Sequence, residues 1–336
     1  MKNPPCGAVR DGWKVMNQYY PEGYLTHTAR NAAALASEAA LTDAMNAHTV
    51  LEARAILCDK GHNLHVDLGC MQGIIPREEG AIGIREGEVR DIALISRVNK
   101  PISFLVTEIR TDSFGERYAV LSRRLAQEQC RREYVSRLVP GDVIEARVTH
   151  LEGFGAFVDI GVGINALIPV DAISVSRIPH PSERFCTGED IRAVVRQIDP
   201  ETGRITLTHK ELLGTWEENA ARFSAGETVP GVVRSVERYG IFVELAPNLA
   251  GLAEYAEGVR PGQSTSVYIK SILPQRMKIK LIIVDAFSAD YPPAPVEYFF
   301  EGNHMDEWRY SPPDAHKEIR SVFKQDLQAE PFAFQP

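Results

Sequence analysis

The sequence predicts a mainly β protein: three small five-stranded barrels in tandem, joined by short helices and preceded by a helical extension. Three observations predict it. Short β-rich runs are punctuated at close intervals by Gly and Pro turns, which is the signature of small barrels. One such unit recurs three times along the chain, and internal repetition decides architecture before any single element does. At the same place in each unit two ring side chains stand three residues apart, with Gly or Asn after the first.

The clearest unit starts with the turn Pro140-Gly141-Asp142. Val143 to Leu151 reads as its first strand, Gly153 to Ile160 as a glycine-bent second, and Ala166 to Pro169 as a short third. Ile191 to Asp199 follows, and the Pro200 to Gly203 turn leads into Arg204 to Thr208. The pattern returns from Gly226. Tyr239-Gly240-Ile241-Phe242-Val243-Glu244-Leu245 matches Phe154 to Ile160 position for position, and Lys278 to Leu281 closes the unit. A weaker copy lies upstream, with His62 to Gly69, Gly73 to Pro76, Ile102 to Ile109 and Tyr118 to Ser122 as strands. The alanine-rich stretch Asn31 to Ala47, the arginine-rich Arg123 to Leu138, and Lys210 to Ser224 read as helices. In the last, Leu212, Trp216, Ala220 and Phe223 form one apolar face that packs a linker against a barrel. The expected domains are a helical extension at 1–48 and a degenerate barrel at 49–125. A helical linker at 126–138 leads to a barrel at 139–210, and another at 211–225 to a barrel at 226–286. An acidic Pro/aromatic tail at 287–336 has no repeat partner.

The formal net charge of -8 would argue against a polyanion partner, but its location matters more than its size. Asp285 to Pro336 holds ten acidic and four basic residues, so the body carries only -2 and local basic stripes remain possible. The five cysteines are scattered, with no CxxC pair, as expected of reduced cytosolic thiols. No apolar run is long enough for a bilayer, and Met1 to Arg10 lacks the apolar stretch of a secretory signal. A cytoplasmic protein without membrane contact is expected. Cys58, His62, His65 and Cys70 invite a metal reading, but their spacing matches no standard finger and both histidines already occupy ring slots. His304, Asp306 and Trp308 read as part of a packed or solvated tail. No nucleophile elbow, phosphate loop, HExxH or DxD cluster is present. Hence no catalytic residue, metal, cofactor or small-molecule substrate is expected.

Single-stranded RNA offers base faces and phosphates, so a binder needs exposed rings with cations beside them. The first ring slot holds His62, Phe154 and Tyr239, and the second His65, Phe157 and Phe242. The residue between, Asn63, Gly155 or Gly240, tolerates φ > 0, and a bend there would turn both rings to one face. Phe154 and Tyr239 taken alone fit a core equally well. Recurrence of rings in all three copies favours a surface platform.

The stretch Gly153 to Asp159 with Leu167-Ile168, Gly188, Ile198-Asp199 and Arg204 to Thr208 resembles the ribosomal protein S-one RNA-binding domain, a five-stranded OB barrel. The resemblance runs from about Thr49 to Asp285, and with Gly214 to Asn219 it extends to bacterial S-one homologues of the small ribosomal subunit. It implies that RNA is held by two rings on the second strand, a histidine after the third, and an Asp and a basic residue around the last turn. In the middle copy these are Phe154, Phe157, Asp199 and Arg204, with Pro169 in the histidine slot. In the third they are Tyr239, Phe242 and Lys278, with Glu254 in the histidine slot and Leu273 in place of the Asp. In the first they are His62 and His65, with Pro76 in the histidine slot. Arg204 and Lys278 also fit as plain surface charges. The resemblance further implies that the first copy and the N-terminal helix dock to protein. The function expected is low-specificity binding of single-stranded RNA, mRNA included, in translation at the small ribosomal subunit. An accessory role in RNA processing or decay, and a protein-interaction scaffold, are the rivals.

Overall fold

The computed structural model describes residues 19–199, 202–289 and 295–323. Two compact units emerge. One takes in residues 19–138 and Asp159–Asn165, the other Val139–Val158 and residues 166–323.

The first unit opens with α1 (Ala29–Leu35) and α2 (Glu38–Asn46) rather than one continuous helix. The break lies at Ser37, whose hydroxyl accepts from the Ala40 amide. A serine that can cap a new helix competes with continuing the old one. The barrel follows: β1 (Leu51–Cys58), β2 (Leu64–Asp67), β3 (Gln72–Ile75), β4 (Pro101–Thr111) and β5 (Arg117–Ser122), in the closed order β1-β2-β3-β5-β4. Its core joins Leu51, Leu64, Val66, Ile75, Ile102, Phe104 and Leu121 to Leu41 of α2. A short α3 (Ile92–Ile95) lies between β3 and β4, and α4 (Arg123–Glu133) leaves the barrel, capped by Ser122.

A buried ion cluster ties this unit together. Glu22 accepts from Arg123 Nε at 2.6 Å and Arg97 Nη1 at 2.9 Å, and its own amide donates to Asp159 at 2.8 Å. Burial alone would raise the Glu22 pKa, but Arg123 and Arg97 hold it below the usual carboxylate range. Burial and the neighbouring Glu22 push Asp159 up.

In the second unit β6 (Val143–Glu152), β7 (Gly155–Asp159), β8 (Asn165–Pro169), β9 (Asp190–Ile198) and β10 (Ile205–Thr208) close a barrel in the same cyclic order. So do β11 (Thr228–Glu237), β12 (Gly240–Ala246), β13 (Leu249–Ala253), β14 (Ser264–Leu273) and β15 (Lys278–Phe287). Three tandem five-stranded barrels with short linking helices are thus the fold that the sequence predicts. The helix expected over Lys210 to Ser224 is again broken. A 3-10 turn, Lys210–Leu213, ends at Gly214 with φ +82°, and α5 (Trp216–Ala220) restarts on a Thr215/Glu218 capping box. Its apolar face packs as the spacing predicts, with Leu212, Trp216 and Ala220 buried in the core.

The C-terminal aromatics, left without a role by the repeat pattern, bind both barrels of this unit. β16 (Glu307–Arg309) pairs with β17 (Arg320–Val322). Met305, Trp308, Tyr310 and Phe323 join one core with Val143 and Val194 of the middle barrel, Trp216 of α5, and the interior of the third barrel. Met305 N donates to Gly141 O at 2.9 Å, and Trp216 N to Tyr310 O at 3.0 Å. Arg192 spans to Phe300 O at 2.6 Å and Gly302 O at 2.7 Å, while His304 meets Asp142 at 2.7 Å. Tyr291, Pro292 and Pro293 lie outside the described residues.

The middle and third barrels also meet through a buried ion network. Glu244 of β12 accepts from Arg184 and from Arg234 of β11, and Arg234 reaches Glu183 as well. Asn248 accepts from Val175 N and donates to Lys210 O and Gly214 O.

Candidate nucleic-acid interface

The first ring of each pair owes its exposure to a hairpin turn. β11 ends at Glu237, which pairs with Gly240, so Tyr239 stands on a two-residue connection outside the strands. Phe154 has the same place between β6 and β7. The rings are 70% and 58% exposed, respectively. The second ring lies on the strand's outer face: Ala156 and Val158 point into one barrel and Ile241 and Val243 into the next, leaving Phe157 and Phe242 outside and half-buried. Phe154 and Phe157 meet edge to face at 5.8 Å and 88°, and Tyr239 and Phe242 at 6.2 Å and 88°. Two barrels thus build the same ring pair with nearly one geometry.

The role expected for the intervening residue needs correction. Gly155 does not adopt positive φ, and Asn63 does not either; in the first copy His62 itself is left-handed, at φ 61°. Only Gly240 has positive φ, at 150°. The common requirement on the two glycines is close approach. A Cβ on Gly155 would sit 2.5 Å from Ile168 O, and one on Gly240 2.5 Å from Ala253 O. Any side chain there would push the third strand off the second. The rings share a face because the first stands on the turn, not because the strand bends.

Strand register then assembles the rest of the surface. In the third barrel one row runs Ser235, Phe242, Leu252, Lys280, Ser271 around the outside. Lys280 is exposed, and Lys278, two residues before it on β15, is exposed too. Lys270 sits where β14 shifts register, with Glu254 of the histidine slot 3.8 Å away. In the middle barrel the corresponding row includes Leu167, Thr206 and Gln197. Asp199 accepts from Thr202 N at 3.2 Å and Oγ1 at 2.6 Å, so it shapes the turn that presents Arg204, which is exposed. Leu273, in the Asp position of the third barrel, pairs with Lys278 as Asp199 does with Arg204, but brings no carboxylate to the turn.

The first barrel differs in kind. Its row runs Leu57, His65, Ile74, Val120, Glu108 and, unlike that of the third barrel, contains no cation. His65 Nε2 lies 3.2 Å from Asp59, and His62 Nδ1 3.3 Å from Asp91. Hydrogen bonds from Asn63 and His65 hold the Asp59 carboxyl down to about 2. Both imidazoles therefore face anions, a poor setting for phosphate. Among the described residues no three His, Cys, Asp or Glu side chains converge as metal ligands, and no helix is long and apolar enough to cross a membrane.

Sequence reasoning missed two residues that lie beside the ring pairs. Lys280 is invisible without the cross-strand register. His150 of β6 lies 6.5 Å from Phe157 with its ring tilted only 27° from it. Strict alternation from buried Ala146 and Val148 would have sent position 150 inward. At the corresponding place β1 and β11 shift register, between Ala55 and Leu57 and between Val233 and Ser235. His150 is nonetheless exposed.

A family model described as S1 RNA binding domain matches residues 138–210. Small ribosomal subunit protein bS1 of Leuconostoc lactis is 31% identical over 69% of this chain and 55% of its own length. The bS1 of Rhizobium meliloti is 31% identical over 64% of this chain and 39% of its own, and that of Staphylococcus aureus 29% over 72% and 63%. The chain thus spans between 39% and 63% of the length of these relatives. The middle barrel is an S1 RNA-binding domain, and the chain resembles small ribosomal subunit protein bS1 over 64% to 72% of its length.

Proposed function

We propose that this chain binds single-stranded RNA, mRNA included, with low sequence specificity, and acts in the cytoplasm in translation on the small ribosomal subunit. The observation that carries the proposal is the repeated ring pair, Phe154/Phe157 and Tyr239/Phe242, on the outer faces of two barrels of one unit. Rings stack on any base, so such a platform retains the strand without reading its sequence. Arg204, Lys278 and Lys280 supply cations for the backbone, and Asp199 presents Arg204. Two sites held in one unit raise effective concentration, by a factor that reaches ~10²–10⁴ when a strand spans both.

The first barrel lacks the Phe/Tyr ring pair that the other two share, and we assign it, with α1 and α2, to docking on protein. No cofactor and no small-molecule substrate enter this function.

The test is binding of polyU by the Phe157→Ala/Phe242→Ala chain at fixed salt. Each lost base stack costs ~1–3 kcal/mol, so affinity falls at least tenfold for the pair. Unchanged affinity refutes the platform. Sedimentation with ribosomes supports the translational role; co-purification with a nuclease instead supports RNA decay.

A further inference from the structure

We infer that His150 is a third base-contacting ring of the middle barrel, so this barrel engages one base more than the third barrel does. The inference rests on the platform reading above and deepens it. His150 is 64% exposed at its side chain and nearly parallel to Phe157, which in turn meets Phe154 edge to face. Three rings therefore form one continuous outer surface. Glu152 holds the imidazole in place, 2.7 Å from Nε2. A ring already oriented loses less freedom when a base lands on it.

The equivalent places show that this is particular to one barrel. The residue across from the second ring is Leu57 in the first barrel and Ser235 in the third, and neither has a π face. The third strand of the middle barrel ends in Pro169, which has no π face. His150 supplies one from the first strand.

The ligand is an unpaired base of either class, since an imidazole with one nitrogen committed to Glu152 stacks rather than reads edges. The probe is fluorescently labelled oligo(U) binding to the full chain at fixed salt, with His150→Ala, His150→Phe and His150→Lys compared against Phe157→Ala. His150→Ala weakens binding about fivefold or more, the value of one stacked base, and His150→Phe restores it. Melting of His150→Ala matches that of the parent chain, because the side chain is exposed. Rescue by His150→Lys but not by His150→Phe overturns the inference in favour of a phosphate contact. An unaffected His150→Ala chain beside a weakened Phe157→Ala chain overturns it while leaving the platform standing. If neither weakens binding, the platform itself falls.

Discussion

Removing the Glu244 carboxylate strands the buried Arg184 guanidinium and takes from Arg234 one of its two carboxylate partners. Its Oε2 accepts from Arg184 Nη2 at 2.6 Å and Arg234 Nε at 2.7 Å, and its Oε1 from Arg234 Nη2 at 3.1 Å. The side chains of Arg184, Arg234 and Glu244 are only 9%, 8% and 7% exposed. Burial opposes the charge on both arginines. In Arg184 it prevails and draws the pKa down, with Arg234 adding repulsion; in Arg234 the carboxylates of Glu244 and Glu183 overcome it and push the pKa up. Arg184 therefore depends most on Glu244. Breaking a buried pair by deleting one partner costs ~3–5 kcal/mol, because the charge left behind has no water. Glu183 remains on Arg234, which puts Glu244→Ala near the lower bound, about 3 kcal/mol. The assay is urea unfolding of the full chain followed by tryptophan fluorescence, since Trp216 and Trp308 lie in the core that these barrels share. With a slope of ~2 kcal/mol per M the midpoint falls by ~1.5 M. Glu108→Ala is the control: it breaks an exposed pair with Arg110 and leaves the midpoint unchanged. A Glu244→Ala shift below ~0.5 M refutes the claim that the network is desolvated.

Three further outcomes follow from the structure. Gly141→Ala displaces the C-terminal segment, because φ is +97° there and a Cβ would sit 2.3 Å from Met305 O; limited proteolysis then cuts within 295–323 at a concentration that spares the parent chain. Burial pulls the His209 pKa down to about 4, with Nδ1 committed to Ile173 O and Nε2 to the Tyr298 hydroxyl. Its folded value lies below the unfolded ~6.5, so its contribution is intact above pH ~6.5 and lost as pH falls through about 4, by roughly 3 kcal/mol; His209→Gln flattens the urea midpoint against pH across that window. Lys278→Gln/Lys280→Gln lowers the steepness of log affinity against log salt by ~1.4 if each lysine meets a phosphate, since a single strand contributes ~0.7 per contact; an unchanged slope assigns both to the bare surface.

The aromatic recurrence was legible in the chain because stacking needs particular side chains at a spacing that the turn imposes, and that spacing survives in Phe154/Phe157 and Tyr239/Phe242. The departure of the first copy was visible as histidines in the ring slots, but not their partners: Asp59 and Asp91 reach those rings only in the folded chain. His150 was hidden because strict alternation from buried Ala146 and Val148 sends it inward, whereas the folded strand exposes it. The two broken helices were missed at Ser37 and Gly214, where capping and a left-handed backbone compete with an otherwise helical pattern.

By itself the sequence determined the three repeats, their strand alternation, and which rings sit at the paired slots, since turns and alternating burial are local properties of neighbouring residues. Tertiary structure alone decided which cations join a ring pair, as Lys280 does through Leu252, and where the C-terminal aromatics go. Those outcomes depend on contacts between residues far apart in the chain, such as Tyr310 on Asn248 and Arg192 on Phe300. Closing such contacts is a property of the folded chain rather than of any segment in it.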